Sequence, residues 1–251
     1  IILFGEDTPE LHAFYESLHE VAPGAVTVMQ HLLNAWQPNA LSHDWYMPDG
    51  HYVHVPVMEK IDMKVKIDEL NNHQFNHRID INNGADKGLS IAANVVHSID
   101  GMIVREMNRR CNYGVVMLQT ALSNINLYLA LNSVSTTDYE TDKFISIVEI
   151  EKIQYMHSLV NYTYQELATL KYIIEEVLTY KAFPIVCVHD EFKCHPNNMN
   201  TLRKHYSAIL AQLALSNLLS NILSQITMTN YPVSKLGNLA HVIKNSNYAL
   251  S

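Results

Sequence analysis

Ala93-Asn94-Val95-Val96-His97-Ser98-Ile99-Asp100-Gly101 and, further on, Phe183-Pro184-Ile185-Val186-Cys187-Val188-His189-Asp190-Glu191-Phe192 decide the reading of this 251-residue chain. The first string places polar groups at i, i+3 and i+4 (Asn94, His97, Ser98), the spacing of a helix face. The second is an apolar run that ends on a carboxylate, which predicts a buried strand over Ile185 to Val188 delivering Asp190 into a turn. On the helix, Asn94, His97, Ser98, Gly101 and Arg105 fall on one stripe of polar or small side chains, and such a stripe suits a face lying along a groove.

Outward from these strings the grammar is mixed. Thr8-Pro9 opens a helix, with Thr as cap and Pro in the first turn, and Leu11, Phe14, Leu18, Val21 and Ala22 continue it to the break at Pro23-Gly24. A second helix through Met29, Leu32, Leu33 and Trp36 ends at Gln37-Pro38-Asn39. From Trp45 the pattern turns to strands: Trp45-Tyr46-Met47, a Pro48-Asp49-Gly50 turn and then Tyr52, Val53, Val55 and Val57 predict a hairpin. Met63 to Ile67 and His77 to Ile81 predict another strand pair, and residues 82–88 a loop before the motif helix. Val115 to Leu131 has helical spacing, 133–141 reads as a polar loop, and Ile153 to Tyr180 as a second helical region. Leu202, Tyr206, Ile209, Leu210 and Leu213 mark a helix after the second string.

Composition bounds the reading. No apolar run approaches the roughly 18–20 residues of a membrane span, so a soluble protein without one is expected. Cys111, Cys187 and Cys194 cannot all pair, which fits a reducing compartment; His195 beside Cys194 lacks a second close Cys/His pair, and no structural zinc is expected. The net charge of −8 opposes a dedicated non-specific nucleic-acid binder. Two local clusters, Arg105/Arg109/Arg110 and Arg203/Lys204/His205, offset it where a groove would meet phosphate. The chain begins Ile1-Ile2-Leu3-Phe4 and not with Met, and is expected to continue a longer product.

ANVVHSxDG followed by VHDxF resembles the late motifs of the phage-type single-subunit RNA polymerases of bacteriophages and mitochondria. WYMPDGHYVHVPV (residues 45–57) resembles the segment that precedes the family's His-Ser helix, and KLGNLAHVIKNSNYALS (235–251) its C-terminal segment, which would make Ser251 the natural terminus. The resemblance implies an α+β fold, the palm and fingers of a right-handed polymerase, with an antiparallel palm sheet among helices. It divides the chain into a helical fingers segment (1–44), palm and fingers strands with the His-Ser helix (45–111), a helical insertion (112–182), and the catalytic hairpin with the C-terminal segment (183–251).

The implied chemistry is nucleotidyl transfer by two divalent ions, Mg2+ here, that stabilise attacking and leaving oxygens. Asp190 is the expected catalytic and metal-ligating carboxylate, with Glu191 a candidate second ligand. His97 would contact the minor-groove side of the template–product pair with Ser98 beside it, Arg105 would meet phosphate, and His189 would lie near the product 3′ end. Gly101 would permit close approach. The family's upstream half is absent: its first catalytic carboxylate sits in an Asp-Gly motif, and its nucleotide-selecting helix carries Arg, Lys and Tyr-Gly. Arg105-x7-Tyr113-Gly114 imitates that spacing, but it follows the His-Ser string and has Arg in place of Lys.

The expected activity is DNA-dependent RNA synthesis, with DNA template, RNA product and NTPs as ligands. The other catalytic Asp would come from a second polymerase polypeptide or from an N-terminal part, an accessory DNA-opening factor is a further candidate partner, and the setting would be the cytoplasm of an infected bacterium or, alternatively, the mitochondrial matrix. A family A-like DNA polymerase fragment is the nearest alternative, since Val188-His189-Asp190-Glu191 suits its third motif too. A non-catalytic interaction subunit with a degenerate palm is the other.

Overall fold

The computed structural model describes residues 8–132, 141–188, 191–235 and 237–246. Chain order is α1 (Pro9–Val21), α2 (Pro23–Asn34), β1 (Ser42–Tyr46), β2 (Tyr52–Pro56), β3 (Met58–Ile67), β4 (His73–Asn82), α3 (Ser90–Cys111), α4 (Val115–Leu131), α5 (Tyr164–Leu178), β5 (Val186–Val188), β6 (Glu191–Lys193), α6 (Met199–Leu215), α7 (Leu218–Thr227) and α8 (Leu239–Asn245). Helix outweighs strand, the sheets are small and antiparallel, and the class is α+β. The strands form three separate two-stranded ladders, β1-β2, β3-β4 and β5-β6, and no larger sheet among the described residues. No single described helix is long and apolar enough to cross a membrane.

The chain folds into two compact units. One holds the chain up to Trp45, His54–Val96 and Leu223–Asn230; the other holds Tyr46–Val53, His97–Ile222 and the chain from Tyr231. In the first, Thr8 caps α1 through its hydroxyl, which accepts from the Leu11 amide at 3.3 Å, with Pro9 in the first turn as its fixed φ favours. Trp36 follows α2, is buried, and donates from Nε1 to the Ala85 carbonyl at 2.8 Å. Gly88 lies flat against the Trp36 ring, where a Cβ would collide. The ribbon β3-β4 pairs Met63 with His77 and Ile67 with His73 and is closed through Asn71 and Asn72, both at positive φ, which Asn tolerates better than most residues. It runs five residues beyond the expected Met63 to Ile67 on one arm and extends past both ends of the other.

In the second unit, residues 113–178 enclose a hydrophobic core of their own. Leu118, Ala121, Ile125, Ile153, Leu159, Leu167 and Ile174 are its fully buried members. The expected helix over Ile153 to Tyr180 starts later: residues up to Asn161 form two short 3-10 turns, Ile147–Glu151 and Met156–Asn161, and α5 begins after Thr163. A capping box sets that start. The Thr163 hydroxyl accepts from the Glu166 amide, and the Glu166 carboxylate accepts from the Thr163 amide at 2.7 Å. The expected loop over 133–141 falls, apart from Thr141, outside the described residues. Further along the unit α8 packs against α6, and the Asn238 side chain caps α8.

Candidate functional site

The first string lies in α3, and the second brackets the ladder β5-β6. Along α3 the buried positions include Val95, Ser98, Met102 and Glu106, the i, i+3, i+7, i+11 stripe of a helix packed on one side. His97, one residue before Ser98, is exposed, as is Asp100. Successive residues on a helix are about 100° apart, so one neighbour faces the core while the other faces solvent. The expected polar stripe is therefore split: His97 stands outward, Gly101 and Arg105 are half-buried, and Ser98 belongs to the packed side.

Arg105 is not a free cation. Its Nε donates to Asp49 Oδ2 at 2.5 Å and its Nη2 to Asp49 Oδ1 at 3.0 Å, while Arg109 Nη1 donates to Asp49 Oδ2 at 3.0 Å. Asp49 sits in the turn between β1 and β2. The Gly50 amide donates to the Met47 carbonyl, the Met47 amide to the His51 carbonyl, and Gly50 adopts φ +78°, where Gly costs least. The Asp49 side chain has no exposed surface. Burial pushes its carboxyl pKa up, and the hydrogen bonds from Arg105 and Arg109 more than reverse that, leaving it below the ordinary carboxylate value.

Arg110, the third member of the expected basic cluster, is buried in a separate network. Its Nε donates to Glu106 Oε1 at 2.9 Å and its Nη2 to Gln212 Oε1 at 3.0 Å. Glu106 also accepts from the Ser146 hydroxyl at 2.6 Å and the Ile147 amide at 3.0 Å, so its charge is paired and its oxygens are used. The second expected cluster likewise does not form one basic surface. Arg203 is exposed, Lys204 donates to the Tyr180 hydroxyl at 2.9 Å, and His205 is buried.

Register in β5-β6 pairs Val188 with Glu191 and Val186 with Lys193. Asp190 and His189, the expected catalytic carboxylate and its His neighbour, lie outside the described residues. Glu191 is exposed and pairs with Lys193 at 3.2 Å, a surface ion pair of the weak kind. The expected buried strand is not buried: Val186 is 61% and Val188 45% exposed, because a two-stranded ladder leaves its side chains open unless another element covers them. Among the described residues no group of three or more His, Cys, Asp or Glu side chains is placed to hold a metal ion.

Two functional candidates escape a local reading of sequence. Asp49 pairs with side chains 56 and 60 residues away, and the turn signal at Pro48-Asp49-Gly50 explains its backbone without announcing its partners. The ribbon β3-β4 has two unlike faces. One carries Ile61, Val65, Ile67, Ile79 and Ile81, half-buried; the other exposes Lys60, Lys64, Lys66 and Arg78 with Asp62 and Asp80. Arg78 and Asp62 are cross-strand partners and pair at 2.9 Å. The period-2 alternation of Lys60, Lys64 and Lys66 was the available signal. No protein-family model matches this chain, and no curated protein matches it in sequence.

Proposed function

We propose that this chain supplies the downstream half of the catalytic centre of a DNA-dependent RNA polymerase of the phage type, with Asp190 as its metal-ligating carboxylate. The observation that carries the reading is the antiparallel register in which Val188 and Glu191 pair on either side of His189-Asp190, while the other string lies on a helix that exposes His97. Phosphoryl transfer demands rigid flanks for its metal-binding carboxylate, since a misplacement of about 1 Å can cost about a hundredfold in rate.

Magnesium, when bound, would neutralise charge that develops on the phosphoryl oxygens. Asp190 would hold it, with Glu191 as the candidate second ligand, since a weak surface pair with Lys193 leaves that carboxylate available. The exposed valines of β5 support a need for a further polypeptide segment, and the reading assigns that role to the one bearing the upstream carboxylate. Template contact has a candidate in the charged face of β3-β4, where four cations meet two carboxylates; a two-stranded ribbon fits the major groove of DNA. His97, outward on α3, would hold the primed end.

The experiment is primer extension at limiting primed template with His97→Ala, in the presence of the polypeptide that carries the upstream motif. Positioning without chemistry predicts a loss of about tenfold to a hundredfold, smaller than the loss on removing a metal ligand. Extension equal to wild type would remove α3 from the nucleic-acid interface.

A further inference from the structure

The turn between β1 and β2 holds a carboxylate that the proposed reaction does not use. Asp49 is fully enclosed, and its two oxygens accept three N–H bonds from Arg105 and Arg109. Burying a carboxylate is unfavourable unless it is paired, and here two guanidiniums more than neutralise it, leaving one surplus positive charge. Both arginines stay partly open, their side chains 30% and 29% exposed. Arg105 gives Asp49 its Nε and Nη2 edge. The opposite terminal nitrogen, Nη1, lies over Gly101, where a Cβ would stand 3.3 Å away. His97, Gly101 and Arg105 follow at i, i+4 and i+8, so this free edge shares a stripe with the outward His97.

We propose that Asp49 is a positioning residue which fixes the Arg105 guanidinium so that its free edge engages a phosphate of the template–product pair beside His97. The inference rests on the polymerase reading above. A guanidinium presents N–H groups on more than one edge in a rigid plane, so one edge can be held by protein while another meets phosphate. An unheld arginine must lose its rotamer freedom on binding, and Asp49 has already removed that freedom in the free chain. Simple electrostatics predicts the opposite sign for the same residue. A carboxylate near a phosphate site repels the polyanion, so deleting its charge without a positioning role would tighten binding.

The test measures binding of an RNA-primed DNA template to the chain mixed with the polypeptide that carries the upstream motif, over a range of salt, for wild type, Asp49→Asn, Arg105→Lys and the double variant. Positioning predicts about tenfold weaker binding by Asp49→Asn and a salt slope lower by about one contact. Arg105→Lys keeps the charge but loses the planar fork, and should show a similar loss. The double variant should be no weaker than either single one, since both remove the same held edge. Thermal unfolding reports whether each variant folds. Arg105→Lys leaves Asp49 in place and carries the test if Asp49→Asn does not fold. Equal or tighter binding by a folded Asp49→Asn, full binding by Arg105→Lys, or additive losses in the double variant would overturn the positioning role and leave the polymerase reading standing. Failure of the wild-type mixture to bind primed template would remove that reading and this inference with it.

Discussion

His205 is 2% exposed, its Nε2 has no hydrogen-bond partner among the described residues, and its ring meets that of Tyr180 in a T-shaped contact. Burial, and then the positive charge of Arg110, bring its pKa down from 6.5 to about 4. The unfolded chain therefore binds this proton at a higher pH than the folded one. Between about 6.5 and about 4 the unfolded state holds more protons, so stability falls as pH falls, by about 3 kcal/mol across the window. Asp49 and Glu166, both held below the ordinary carboxylate range, lose their contributions at lower pH still. Urea unfolding at a series of pH values should show this slope, and His205→Gln should flatten it whatever its effect on absolute stability. An unchanged slope would mean that His205 takes up its proton without unfolding. The same residue marks the limit of reading charge from sequence. Arg110 and His205 look like surface cations in their runs, yet long-range packing buries both, and nothing within a few positions of either encodes that.

Elements were legible where local chemistry closes them. Thr8-Pro9, the Pro48-Asp49-Gly50 turn and the apolar period of 115–131 each carry their own stop or start, and α1, the β1-β2 hairpin and α4 follow. Ile153 to Tyr180 misled because apolar residues three or four apart also suit 3-10 turns. Thr163-x-x-Glu166 was the readable start of α5. The strand before Asp190 was expected to be buried from its apolar run, but a run records a preference for cover, and no described element supplies that cover for Val186 and Val188. Within 113–178 the packing itself predicts a contrast. Leu167 is fully buried in that core, and Leu167→Ala should cost about 2–5 kcal/mol in chemical denaturation. Val116 on α4 is 77% exposed, and Val116→Ala should stay within about 0.5 kcal/mol of wild type. Similar losses for the two would contradict a core confined to this segment.

For the whole molecule, a net charge of −8 and a single candidate catalytic carboxylate make the same demand on the proposed reading: a partner that helps the chain both to face a polyanion and to close a two-metal site. The surplus positive charge around Asp49 and the cationic face of β3-β4 show how an acidic chain can still offer phosphate a local welcome. The two strings stand out in the sequence because they are short and contiguous; the arginine pair on a buried Asp does not, because only folding brings it together. The central claim is nucleotidyl transfer at Asp190. Its most direct measurement is magnesium-dependent NTP incorporation on a primed DNA template by this chain mixed with the polypeptide bearing the upstream Asp-Gly motif, wild type against Asp190→Asn. The account predicts incorporation by the wild-type mixture, none by this chain alone, and a fall of about a thousandfold or more for Asp190→Asn with template binding retained. Near wild-type incorporation by Asp190→Asn would contradict it.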